Sequence, residues 1–121
     1  MGYRSQVVLA IRKEVFLDKG GIIKGSIRDV TSVKVNSDFY ILYWESVKWY
    51  EHYDDVKAID EFMESIDMED YEFVLIGEEE IETRGYADSG VYATFNFPKS
   101  KKIKLSQIKF KRYFTKKRAF F

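Results

Sequence analysis

Phe39 to Tyr50 alternates large apolar side chains on both parities: Phe39, Ile41, Tyr43, Val47 and Trp49 on one, and Tyr40, Leu42, Trp44 and Ser46 on the other. Successive side chains of a strand point to opposite faces, so this stretch predicts a long aromatic strand that needs cover from other elements. Glu45 falls on the more apolar parity, which calls for a β-bulge near Glu45 and Ser46 to shift the register, the alternative being a carboxylate aimed at the core.

The neighbouring segments supply the cover. Gln6 to Ile11 is a short apolar run of the kind buried on both faces of a sheet. Arg12 to Lys19 has room for two helical turns, with Gly20 and Gly21 as the stop. Ser32 to Asn36 alternates, and Asn36-Ser37-Asp38 makes a turn into the aromatic strand. Asp54 and Asp55 open the clearest helix, about residues 55–66. Val56, Ile59, Phe62, Met63 and Ile66 fall on one face, and an Asp is expected at the N-cap. Tyr71 to Ile76 reads as a strand ended by Gly77, and Val91 to Phe97 as one ended by Pro98. This order predicts an α+β domain, a mainly antiparallel sheet with one principal helix packed on one face, with a ferredoxin-like or related split arrangement as the first expectation.

With 121 residues the chain has the size of one domain. Aromatic residues make up 17 % and charged residues 33 %, against a disordered or membrane-spanning chain. The boundary expected at Pro98 separates residues 1–98, the α+β domain, from a basic segment, 99–121, that forms an added strand or a tail. The absence of cysteine removes disulfides, thiol nucleophiles and Cys-ligated metals, and fits a cytoplasmic setting. Met1 to Gln6 carries no apolar signal region and lacks the Ser or Thr of a myristoylation pattern.

No catalytic motif is present. The seven glycines never take phosphate-loop spacing, and Arg12-Lys13-Glu14 stands where a dinucleotide fingerprint needs glycine. His52 is the single histidine, so a multi-histidine metal site is impossible, and it reads as an ordinary surface residue. Asp67, Glu69 and Asp70, or Glu78, Glu79, Glu80 and Glu82, have the chemistry of a Mg²⁺ or Ca²⁺ site, but they match no EF-hand spacing and read as solvated charge. No cofactor, metal or catalytic residue is expected.

Charge is segregated along the chain. Residues 1–44 hold 7 Lys/Arg and 4 Asp/Glu, residues 45–98 hold 3 and 16, and residues 99–121 hold 10 and none. Opposed blocks of this kind speak to partners or self-association, or to neutralisation within one molecule. The acidic candidates for partner binding are Asp54, Asp55, Asp60, Glu61, Glu64, Asp67, Glu69 and Asp70, beside an aromatic patch of Trp49, Tyr50 and Tyr53 expected to be partly exposed. The basic candidates for nucleic-acid contact are Lys101, Lys102, Lys104, Lys109, Lys111, Arg112, Lys116, Lys117 and Arg118, in a segment whose first half reads as one or two short strands with a cationic face.

Met1-Gly2-Tyr3-Arg4-Ser5, Lys48-Trp49-Tyr50-Glu51, Asp55-Val56-Lys57-Ala58-Ile59 and Ile76-Gly77-Glu78 together resemble a group of small tailed-bacteriophage proteins of unknown function. The resemblance spans residues 1 to 97 and implies a product made in an infected bacterial cytoplasm that binds a host or phage macromolecule; it carries no catalytic residues. Three functions are therefore expected in order: a non-enzymatic interaction protein whose acidic surface binds a protein partner, as a host-factor inhibitor or DNA mimic; a nucleic-acid-binding accessory protein using the basic segment; and, last, a small metal-dependent enzyme built on the carboxylates. A homodimer is the simplest self-association, and no membrane partner is expected.

Overall fold

The computed structural model of the chain describes residues 4–90 and 101–111. Strand β1 (Ser5–Arg12) leads into helix α1 (Lys13–Lys19) and a 3₁₀ helix (Gly20–Ile27). Then come β2 (Ser32–Val35), β3 (Phe39–Val47), α2 (Asp54–Glu64), β4 (Tyr71–Ile76), β5 (Ile81–Gly85) and the short β6 (Lys101–Ile103). The sheet order is β5-β4-β1-β3-β2-β6, with every pairing antiparallel. Its central four strands, β4-β1-β3-β2, reproduce the ferredoxin-like split arrangement, and β5 and β6 extend one edge each. The described residues form a single α+β domain.

β1 sits between β3 and β4, and Val7 to Ile11 are wholly buried. Val7, Leu9 and Ile11 face the helices, where Phe16, Ile23, Ile27, Ile59, Phe62 and Met63 complete the main core. Val8 and Ala10 face the other way, against Phe39, Ile41, Val74 and Ala87. Both faces of the central strand are thus apolar, as its unbroken run requires. On that second face Glu72 is buried and accepts hydrogen bonds from the backbone N–H and hydroxyl of Ser89, which ties the chain after β5 to β4.

The aromatic strand carries the expected bulge. Ser5 pairs with Val47 but Val7 pairs with Trp44, so three steps of β3 oppose two of β1 at Glu45 and Ser46. Glu45 is exposed, and Val47 moves to the Trp44 face. The strand ends at Val47, and the Asn36 side chain makes the preceding turn by accepting from the N–H groups of Asp38 and Phe39, each at 2.8 Å.

One expectation is corrected, the Asp at the N-cap of α2. Helix α1 ends at Lys19 as expected, with Gly20 as its right-handed C-cap, and the chain continues as 3₁₀ to Ile27 because Ile23 and Ile27 still bury against the sheet. Glycine is needed at position 20 for space, since a Cβ there would meet the rings of Phe16 and Phe110. The N-cap of α2 is Tyr53, without a side-chain cap, and Asp54 and Asp55 occupy the first turn, where the helix dipole favours a carboxylate. Glu78, Glu79, Glu80 and Glu82 are exposed, as a solvated charge run is, and the Gly77 N–H donates to the Glu80 carbonyl at 2.8 Å, which turns the chain into β5. Val91 to Phe97 lies outside the described residues.

Residues 101–111 belong to the same body as the rest. β6 pairs with β2, a 3₁₀ turn follows (Leu105–Gln107), Ile108 is buried in the main core, and Phe110 stacks edge-on against Phe16 at 5.1 Å. The Lys111 N–H donates to the Leu17 carbonyl at 2.9 Å, and its ammonium pairs with Asp18 at 2.8 Å.

Candidate functional site

The loop after β3 builds the most featured part of the described surface. The bulge at Glu45 and Ser46 re-aims the chain, so that Trp49 packs its ring on Trp44 at 5.1 Å and on Phe73 at 5.9 Å. With Trp49 anchored, the next residues rise as an aromatic ridge. Tyr50 and His52 are stacked at 5.9 Å, and Tyr53 meets both edge-on, at 5.3 and 4.9 Å. A turn from the Tyr53 N–H to the Tyr50 carbonyl holds the ridge, and the Tyr53 carbonyl accepts the N–H of Lys57 as α2 begins. Trp49 and Tyr50 are half-buried and Tyr53 is exposed, as the aromatic patch was expected to be.

Recesses open on both sides of this ridge. One of about 520 Å³ runs between the ridge and β5, and Trp49, Tyr50, Glu51, Asp60, Glu80 and Glu82 are on its walls. A second, about 340 Å³, is bounded by Ser5, Tyr50 and Glu78 to Glu80. A third, about 360 Å³, lies by Arg4, Lys48, Tyr53 and Asp55. Trp49 borders all three.

The largest recess has an acidic character that one cation tempers. Arg84 Nη1 donates to Asp60 Oδ1 at 2.7 Å, with both side chains mostly covered. Partial burial pushes the Glu82 carboxyl above the usual glutamate range. The Arg84 guanidinium works against this, while Asp60, Glu80 and Glu51 add to it. Glu82 thus ionises less readily than an ordinary glutamate.

The eight acids singled out in the sequence divide by environment. Asp54, Asp55, Glu61, Glu64, Asp67 and Glu69 are exposed on α2 and the turn after it. Asp60 is drawn inward to Arg84, and Asp70 pairs with Arg12 at 3.3 Å. Glu51, Glu80 and Glu82, which complete the recess, were not singled out as partner contacts. Their signal was the alternation Ile81-Glu82-Thr83-Arg84 after a glycine turn, which places charges of both signs on one face of a strand.

Among the basic candidates, Lys101 and Lys102 fall on opposite faces of β6, Lys104 and Lys109 are exposed, and Lys111 is paired with Asp18. The strand covers only Lys101 to Ile103, so the alternation read beyond it does not produce one cationic sheet face: Ile103, Leu105, Ile108 and Phe110 turn to the core instead. Arg112, Lys116, Lys117 and Arg118 lie outside the described residues. Among the described residues no group of three acidic or histidine side chains is placed to hold a metal ion, and no helix is long and apolar enough to cross a membrane. Comparison with protein-family models, curated proteins and solved structures finds no match to the chain.

Proposed function

We propose that the chain is a non-enzymatic interaction protein that binds a basic protein partner through the acidic surface of α2 and its flanking loops. A lysine or arginine side chain of that partner enters the recess beside Trp49 and Tyr50. The observation that carries this reading is the meeting of two aromatic rings with Glu51, Glu80 and Glu82 around one opening of about 520 Å³. Aromatic faces attract cations, and carboxylates in a partly desolvated wall attract them more strongly than in open water. The exposed acids of α2 then steer a positively charged surface towards the opening. In the infected-cell setting that the phage resemblance implies, the partner is a host or phage macromolecule whose own ligand is polyanionic, and the acidic face acts as a DNA mimic.

Titration calorimetry of the full chain with a lysine- and arginine-rich peptide, with an acidic peptide as the control, tests the proposal. Binding of the basic peptide alone, weakened by salt and by the double substitution Glu80→Gln/Glu82→Gln, supports it. Equal affinity for both peptides, or no effect of the substitutions, overturns it. The second reading, an accessory protein that binds nucleic acid through its basic end, rests on ten Lys/Arg and no acid in residues 99–121. DNA added to the same protein should then bind with an affinity that falls linearly in log–log form as salt rises.

A further inference from the structure

Among the described residues β5 is the outer strand of the β4 edge, and its alternation is self-complementary. The bond from Gly77 N–H to Glu80 C=O marks Gly77 and Glu80 as a hydrogen-bonded pair. Antiparallel pairs alternate between bonded and non-bonded. By that alternation, with Leu75 opposite Glu82 and Phe73 opposite Arg84, the main-chain groups of Glu82 and Arg84 point to β4. Those of Ile81 and Thr83, and the N–H of Gly85, point outward from the sheet.

We propose that this edge pairs with the same edge of a second copy, antiparallel and centred on Thr83, to form one continuous sheet across a two-fold axis. Only residues 81, 83 and 85 offer outward groups, so the allowed registers are few, and charge selects among them. Setting Ile81 opposite Thr83 faces Glu80 with Arg84, but it puts Glu82 against Glu82 on the axis and sets the Gly85 N–H opposite residue 79, outside the strand. Setting Thr83 opposite Gly85 puts Arg84 against Arg84. Setting Ile81 opposite Ile81 puts Glu80 against Glu82. Thr83 opposite Thr83 puts Glu82 against Arg84 of the second copy, twice, at the non-bonded positions where cross-strand side chains come closest. Arg84 retains donors for a second carboxylate while it holds Asp60, because a guanidinium has five. In this register Ile81, 71 % exposed in the single chain, lies over Gly85 of the second copy, which has no side chain to obstruct it. Two bonds between the Thr83 residues, and one from each Gly85 N–H to the Ile81 carbonyl opposite, close the ladder. Glu82 also lines the recess, so the pairing and a basic partner draw on the same carboxylate.

Sedimentation of the full chain tests it, with circular dichroism to confirm that each variant folds. Strands of five residues give an interface at the small end of the usual range, so a dimer with Kd on the order of 10–100 µM is expected, weaker at high salt. Glu82→Lys alone and Arg84→Glu alone should each be monomeric at concentrations where the parent is a dimer. An equimolar mixture of the two should recover the dimer, since the introduced lysine of one chain then faces the introduced glutamate of the other, while the native Arg84 and Glu82 meet at the symmetry-related position. Because the chain has no cysteine, Thr83→Cys gives a single thiol on the axis. Paired residues at such positions are about 5.5 Å apart, within disulfide reach, so oxidation should yield a covalent dimer. A parent chain that stays monomeric, a dimer indifferent to both charge reversals, no recovery on mixing, or failure of the Thr83→Cys chain to cross-link would each overturn the pairing.

Discussion

Asp60, midway along α2, holds Arg84 of the outer strand β5 at 2.7 Å, so the helix layer and the sheet edge are joined by one charged contact. The two partners are unequal in what their loss leaves behind. Removing Asp60 leaves Arg84 near Glu82, whereas removing Arg84 leaves Asp60 and Glu82 as like charges in a partly covered recess. Arg84→Ala should therefore cost more stability than Asp60→Ala. A urea-unfolding double-mutant cycle should give a coupling of about 1 kcal/mol, the upper end for pairs not fully buried.

Gly85 has φ +77°, and a Cβ there would press on the Tyr71 backbone, with its carbonyl carbon at 2.9 Å. Gly85→Ala should destabilise the fold by about 2–4 kcal/mol, from left-handed strain and the clash together. Gly90, also left-handed at φ +84°, meets nothing within 4 Å, so Gly90→Ala should cost about 1 kcal/mol from strain alone. Urea midpoints of the two variants separate the contributions.

Glu82 supplies a pH signature. Its carboxyl titrates above the ordinary range in the folded chain, so folding takes up protons and this contribution is fully present below about 4.3, the unfolded glutamate value. It is lost as pH rises through the folded value. Glu82→Gln should match the parent in acid and become the more stable of the two towards neutrality. Unfolding curves for both across a pH series check this, and parallel profiles would contradict it.

Ile108 is buried in the main core while Lys109 beside it is exposed. Ile108→Ala should cost about 2–4 kcal/mol and Lys109→Ala less than about 0.5 kcal/mol. A chain ended at Pro98 loses β6, Ile108 and Phe110 together, and calorimetry should show a large drop in its melting temperature.

The central elements were legible because burial writes a strong pattern. Val7 to Ile11 has no polar interruption because both of its faces are covered, and the misplaced parity of Glu45 was enough to reveal a bulge. The outer strand was not legible. Ile81, Glu82 and Thr83 are exposed, so no buried apolar face marks them, and the turn at Gly77 and the backbone ladder to β4 make them a strand. The acidic recess depends on that strand, and it went unseen for the same reason. The exposed acids of α2 could be read from helical periodicity, but the inward turn of Asp60 needed Arg84, which is distant in sequence.

The position of β1 has a consequence during synthesis. β1 is made before both of the strands it finally lies between, β3 and β4, so its five wholly buried residues wait for partners encoded as late as Ile76. At about 5–20 residues per second of translation, that leaves an apolar strand uncovered for several seconds while the chain emerges. The nascent protein thus passes through an interval in which Val7 to Ile11 is open to chaperones or to neighbouring chains on the same messenger. How fast β4 follows sets how long Val7 to Ile11 stays without its second neighbouring strand.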